Sequence, residues 1–214
     1  MTDGRFNTSL MRLAALLSVV VAAGVVAAGA LAKAPPGDCG WAPATQPLLP
    51  LGDSNNYFLL SGSSFEGDTT GWSFDGGASV VSGNESFFIN GASDSQSLAL
   101  PTGASATTPQ VCVTVDSPTL RFFALNTGAK DAKLTVSLNF TDKDGNPRTQ
   151  KLKDIGTDKT NGSWTLSDPL KFLGPINSIL DHDGKANVSF TFQPKDAKGN
   201  WQIDELYVDP IKSQ

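Results

Sequence analysis

From Tyr57 onward the chain alternates between short apolar runs and clusters of Gly, Asn, Asp and Pro. In residues 133–140, Leu134, Val136, Leu138 and Phe140 share one parity, and Thr135, Ser137 and Asn139 share the other. That period of two is the mark of a half-buried strand. Residues 187–192 repeat it with Val188, Phe190 and Phe192 facing in, as do Val111, Val113 and Val115, which put Cys112 on the opposite face. Residues 121–125 are apolar on both parities, as in a strand covered on both sides. Shorter candidates are residues 57–60, 71–74, 78–81, 86–89 and 97–100. The connections Asp142-Lys143-Asp144-Gly145-Asn146 and Asp196-Ala197-Lys198-Gly199-Asn200 carry hairpin turn chemistry, because Gly and Asn accept positive φ. No helix of ordinary length is predicted. Nine to eleven short strands with such turns predict an all-β antiparallel sandwich, most simply a jelly roll, over residues 57–211.

The final run, WQIDELYVD, has strand composition but its apolar phase slips: Trp201 and Ile203 share one parity, Leu206 and Val208 the other. Asp204 and Glu205 sit at the slip, which marks the place for a bulge or a bound ion.

The N-terminus has a different character. Arg5 and Arg12 precede an apolar and small-residue run over residues 13–31, and Ala30-Leu31-Ala32 is a small-x-small signature. This reads as a secretory signal over residues 1–32, cut after Ala32. The alternative is an uncleaved anchor, since the run nearly reaches the roughly 20 residues of a spanning helix; Ala and Gly in its second half favour cleavage. Residues 33–56 hold five prolines and no periodicity, which predicts an extended arm. Cys39 and Cys112, an even count in an exported chain, predict a disulfide that tethers it. Loss of the leader removes Arg5, Arg12 and Asp3 and takes the formal charge from −5 to −6. An acidic chain without a Lys/Arg cluster in sequence argues against nucleic acid and anionic membranes as partners. No membrane contact beyond the leader is expected.

Few residues offer chemistry. Asp142-Lys143-Asp144-Gly145 and Asp181-His182-Asp183-Gly184 are fragments of a calcium loop without its third acid or closing Glu, and read as turns. His182 is the only histidine, too little for zinc or a nucleophilic triad. Glycoside hydrolysis needs only two carboxylates. The chain has three glutamates, Glu66, Glu85 and Glu205; Glu85 follows Asn84 in a predicted turn, leaving Glu66 and Glu205 as the pair for a small jelly-roll hydrolase.

The segment SGSSFEGDTTGW, residues 61–72, together with Ile203-Asp204-Glu205-Leu206, resembles the carbohydrate-binding modules of the galactose-binding-like jelly-roll superfamily, the kind attached to secreted xylanases and glucanases. The resemblance spans residues 57–210; Ser61 and Glu205 depart from the usual Asn and second Asp. It implies one structural calcium between the first and last strands, with Glu66 and Asp204 as carboxylate ligands.

Sugar binding would use exposed aromatics. Phe122, Phe140, Phe190 and Phe192 fall on core parities, with Trp72 and Trp201 expected beside them. Trp164 and Trp41 are the expected solvent-facing platforms, and Phe87-Phe88 is expected to place one ring on each side of a strand. These features together predict a secreted, non-catalytic extracellular binding or structural module whose partner is a polysaccharide or surface glycan. The alternatives are a cell-surface adhesion protein and the small hydrolase.

Overall fold

The computed structural model describes Met1 and residues 39–40, 44–117, 119–156, 160, 162–195 and 197–209, without the side chain of Leu173. The predicted leader and most of residues 33–43 lie outside them. In chain order the strands are β1 (Phe58–Leu59), β2 (Ser73–Asp75), β3 (Ser79–Ser82), β4 (Gln96–Leu100), β5 (Ser105–Thr107), β6 (Val111–Thr114) and β7 (Thr119–Asn126). There follow β8 (Leu134–Thr141), β9 (Pro147–Ile155), β10 (Thr165–Leu166), β11 (Leu170–Lys171), β12 (Lys185–Pro194) and β13 (Trp201–Asp209), with one short helix, α1 (Leu173–Asn177).

They form two antiparallel sheets. One runs β10-β7-β13-β4-β3, with β1 on β13 and β11 on β7; the other runs β2-β5-β12-β8-β9, with β6 on β12. The chain passes back and forth between them, so the predicted all-β sandwich is observed. Its core is supplied by the expected parities: Val136, Leu138, Val188, Phe190, Phe192, Phe122 and Trp201 are buried between the sheets. Trp72 and Phe140 are half-buried against them. Cys39 and Cys112 form the expected disulfide, Cα–Cα 5.6 Å, joining the start of the described arm to β6.

The phase slip in the last strand is a bulge. Asp204 faces Phe123 of β7 and Tyr207 faces Arg121, so two residues of β13 oppose one of its neighbour. Glu205 takes the extra step at φ 44°. The consequence is that Trp201, Ile203, Leu206 and Val208, of two parities in sequence, all point into one core.

The turn after β1 docks on this bulge. Ser63 Oγ donates to the Leu60 carbonyl at 2.8 Å and accepts the Leu206 amide at 3.2 Å. The Glu205 amide donates to the Ser63 carbonyl at 2.9 Å. Outside, Tyr57, Phe123, Tyr207 and Leu48 form a second buried cluster on the outer face of the β7-β13 sheet, so the described part of the arm packs down at Leu48. Arg121 pairs with Asp53 of the arm, which also accepts the Tyr57 hydroxyl at 2.6 Å.

Three expectations need correction. Residues 86–89 form a turn and not a strand, because the Glu85 carboxylate takes the amides that a ladder would use. Val115 is 43% exposed and not in the core: β6 ends at Thr114, whose hydroxyl accepts the Asp116 amide in a turn. Strand β9 was not predicted at all, since all but one of its first seven side chains are exposed and carry no apolar alternation.

Ser63→Ala tests the docking. It leaves the Leu206 amide unpaired in a fully buried setting, so unfolding by denaturant should show a loss of about 1–3 kcal/mol. A loss within error of zero would mean the turn is not held this way.

Candidate functional site

The segment between β3 and β4 crosses the outer face of the β7-β13 sheet, and three buried carboxylates hold it there. Glu85, Asp204 and Glu205 are each 0% exposed. Asp204 Oδ2 accepts the Glu85 amide at 3.0 Å and Oδ1 accepts the Glu205 amide at 2.9 Å. Glu85 turns back on its own chain, accepting the amides of Phe87 at 2.5 Å and Ile89 at 2.6 Å. Glu205 accepts the Asn90 amide at 3.0 Å and the Tyr207 hydroxyl at 2.8 Å.

No Lys, Arg or His pairs with these three acids among the described ion pairs. Burial therefore pushes Asp204 up to about 8 against the Glu85 amide, with the Glu205 charge adding to the rise. Burial likewise takes Glu205 to about 7, opposed by the Tyr207 hydroxyl and reinforced by Glu85. Glu85 is raised by burial too, and the amides of Ile89 and Phe87 oppose it.

At the tip of this turn Phe87 and Phe88 are 44% and 49% exposed. Phe88 sits at φ 52°, a left-handed conformation that a bulky side chain adopts only when its surroundings impose it. The amides on either side of it are held by one carboxylate, which imposes it. Phe87 leans on Phe123, ring centroids 5.5 Å apart. Trp164, beside β10, is half-buried against the same outer cluster that contains Phe123. Both rings of the pair thus face solvent, where one was expected, because the segment is a turn and not a strand.

Of the other predicted site residues, Trp41 lies outside the described residues. Glu66 reaches the start of β4, where Oε1 accepts the amides of Ser95 and Gln96, each at 2.6 Å. Glu205, proposed as half of a hydrolase pair, is sealed from solvent with both oxygens engaged. His182 is a solvent-exposed turn residue, its side chain 90% accessible. Asp142 and Asp181 bond the amides of their own turns, as expected of hairpin turns. Sequence reasoning set Glu85 aside as a turn residue; the sign that it is more is its place four residues before an apolar Ile89 and directly after Asn84.

Whether these residues suit a calcium ion is answered by their oxygens. Asn84 Oδ1 and Ser97 Oγ are buried without a hydrogen-bond partner. Asn84 precedes Glu85, which bonds Asp204, and the register Leu98–Ile203 carried one residue further sets Ser97 beside Asp204. Asn84 and Ser97 thus carry hard oxygens, the donor type calcium takes, on residues next to Glu85 in the chain and next to Asp204 in register. Glu66 keeps only Oε2 for one, with Ser95 Oγ 3.4 Å away. Among the described residues no group of three or more His, Cys, Asp or Glu is arranged to hold a metal.

The fold is an all-β sandwich of two antiparallel sheets. Among solved structures it is similar to the CBM22-1 xylan-binding domain from Paenibacillus barcinonensis Xyn10C, at 16% identity over 71% of this chain and 94% of that one, TM-score 0.46. It is also similar to the xylan-binding module CBM15, at 13% identity over 75% and 99% of the two chains, TM-score 0.45. TmCBM61, in complex with β-1,4-galactotriose, matches at 18% identity over 70% and 95%, TM-score 0.38. These likenesses concern the fold alone. No protein-family model matches the sequence, and no curated protein does.

The carboxylates give a pH dependence of definite sign. Asp204 and Glu205 hold protons in the folded state that the unfolded chain releases above its ordinary carboxyl range, near 4. Between there and about 8 the native state binds more protons, so stability falls as pH rises. Denaturation of chelator-treated protein between pH 5 and 8, on the order of the window these values define, should show that decline; a rise would contradict it.

Proposed function

We propose that this chain is a secreted, non-catalytic carbohydrate-binding module, and that the turn carrying Phe87 and Phe88, with Trp164 nearby, is its sugar platform. The observation that carries this reading is the exposed phenyl pair held in a strained turn by a buried acid. Strain and apolar exposure both cost stability, and their coincidence at one fixed tip suits a surface that stacks on a pyranose ring. Glu85 is spent on the backbone amides of the turn, so what the tip itself presents is two rings. The disulfide and the apolar leader support export to an oxidising compartment.

Binding of xylan and of β-1,4-galactan is the direct test, by affinity electrophoresis of the whole chain. Phe88→Gly relieves the left-handed strain while removing the ring, so it should unfold no earlier than wild type yet bind about tenfold or more weakly. Retention of full affinity in that variant, or no binding to any neutral polysaccharide, would count against the reading.

Calcium belongs to the same proposal. Asp204 would hold it with Asn84 and Ser97, helped by Glu66, and its charge would neutralise carboxylates that otherwise sit desolvated without a cation. Calcium is expected to raise the melting temperature of chelator-treated protein and to flatten its pH dependence. An unchanged melting temperature at millimolar calcium would remove the ion and leave the carboxyl cluster to stand on protons alone.

A further inference from the structure

The outer face of the second sheet is built differently from that of the first. Where the β7-β13 sheet is covered by the arm and the Phe turn, the outward side chains of β5, β12 and β8 are partly exposed among the described residues, and they are polar; the arm meets this sheet at β6, through Cys39–Cys112. Registers align one row across five strands: Ser73 faces Thr107, Thr107 faces Thr191, Thr191 faces Ser137, and Ser137 faces Lys151. At about 4.8 Å per strand the row spans about 19 Å, the reach of a short oligosaccharide.

Its members are fixed by one another. Thr107 and Thr191 share a hydrogen bond of 2.8 Å, and Asn139 Nδ2 donates to Thr191 at 2.8 Å while its Oδ1 accepts Thr149 at 2.8 Å. Such hydroxyls are held in place yet keep further donor and acceptor capacity for a ligand.

One end of the row is cationic. Lys151 of β9 and Lys195, the residue after β12, both reach the same oxygen of Asp154, at 3.3 and 3.0 Å, and Thr135 donates to the other at 2.8 Å. Burial opposes ionisation of Asp154, but hydrogen bonds from Lys195, Thr135 and Lys151 outweigh it and bring it down to about 2. Two ammonium groups on one carboxylate leave one positive charge over, 59% and 47% exposed at the side chains. On a chain of formal charge −5 this is a local reversal.

We propose that this face binds an acidic polysaccharide, with a uronate carboxylate between Lys151 and Lys195 and the sugar hydroxyls along the row from Ser137 to Ser73. The site shares a ligand class with the reading above but none of its residues. Charge complementarity selects the occupant at the lysine end, where a charge-assisted bond to carboxylate is the strong contact this edge can make; the aromatic-free row beyond it offers hydroxyls, and its far end, Ser73, donates to the Asp75 carboxylate at 3.2 Å.

The experiment is affinity electrophoresis of the whole chain in polygalacturonate and in the same polymer fully methyl-esterified. Wild type should be retarded by the acid polymer alone. The double variant K151Q/K195Q should bind it about tenfold more weakly while remaining folded, with a lower melting temperature as Asp154 loses its two ammonium partners. Thr191→Val, which removes a hydroxyl from the middle of the row and leaves the lysines alone, should also weaken it. Phe88→Gly should bind the acid polymer normally even where it loses neutral polysaccharide, which keeps the two sites distinguishable. No retardation by the acid polymer, equal retardation by its ester, undiminished binding in the lysine variant, or a loss confined to Phe88→Gly would each overturn the proposal.

Discussion

The structure depends on a small number of carboxylates that accept backbone amides out of reach of bulk solvent. Asp204, Glu205 and Glu85 are fully buried, and among them they take the amides of Glu85, Glu205, Phe87, Ile89 and Asn90. A segment lying across the outside of a sheet cannot satisfy its amides through the ladder beneath, and an amide left unpaired in a buried place costs more than a hydrogen bond returns. The acids resolve this. They bring their own difficulty, since their charge is desolvated with no basic partner, and the raised values of Asp204 and Glu205 are the expression of it.

The bulge in β13 is what makes the arrangement possible. Shifting the strand by one residue at Glu205 returns Leu206 and Val208 to the core and leaves Asp204 on the outer side, under the turn. The same irregularity receives the turn after β1 through Ser63, so the first and last strands meet where the acids lie. Glu66, reaching the start of β4 from that turn, ties a third segment to it.

Much of the sandwich was legible because most of its longer strands are half-buried. Residues of β8 and β12 show their alternation directly, and the slip in WQIDELYVD announced the bulge. Strand β9 was silent because an edge strand with exposed side chains has no apolar face to pattern. The Phe turn was misread for the opposite reason: Phe87, Phe88 and Ile89 have the composition of a strand, and only the Glu85 carboxylate, which removes their amides from any ladder, tells otherwise. Glu85 itself gave no local signal of burial, because its partners Asp204 and Glu205 are contributed by the far end of the chain. The pairing of Lys151 with Lys195 was hidden likewise, since register and not sequence distance brings β9 and the end of β12 to one carboxylate.

Two outer faces of one sandwich therefore differ in kind among the described residues, one aromatic and covered, one hydroxyl-bearing and partly exposed, and the aromatic one exists in its present form only through the buried acids. Hydrogen exchange read residue by residue tests this most directly. The amides of Glu85, Phe87, Ile89 and Asn90 should exchange nearly as slowly as those of β13, in spite of belonging to a connection at the surface. Exchange at the rate of an unprotected loop would contradict the account, because it would mean that the carboxylates do not hold the turn.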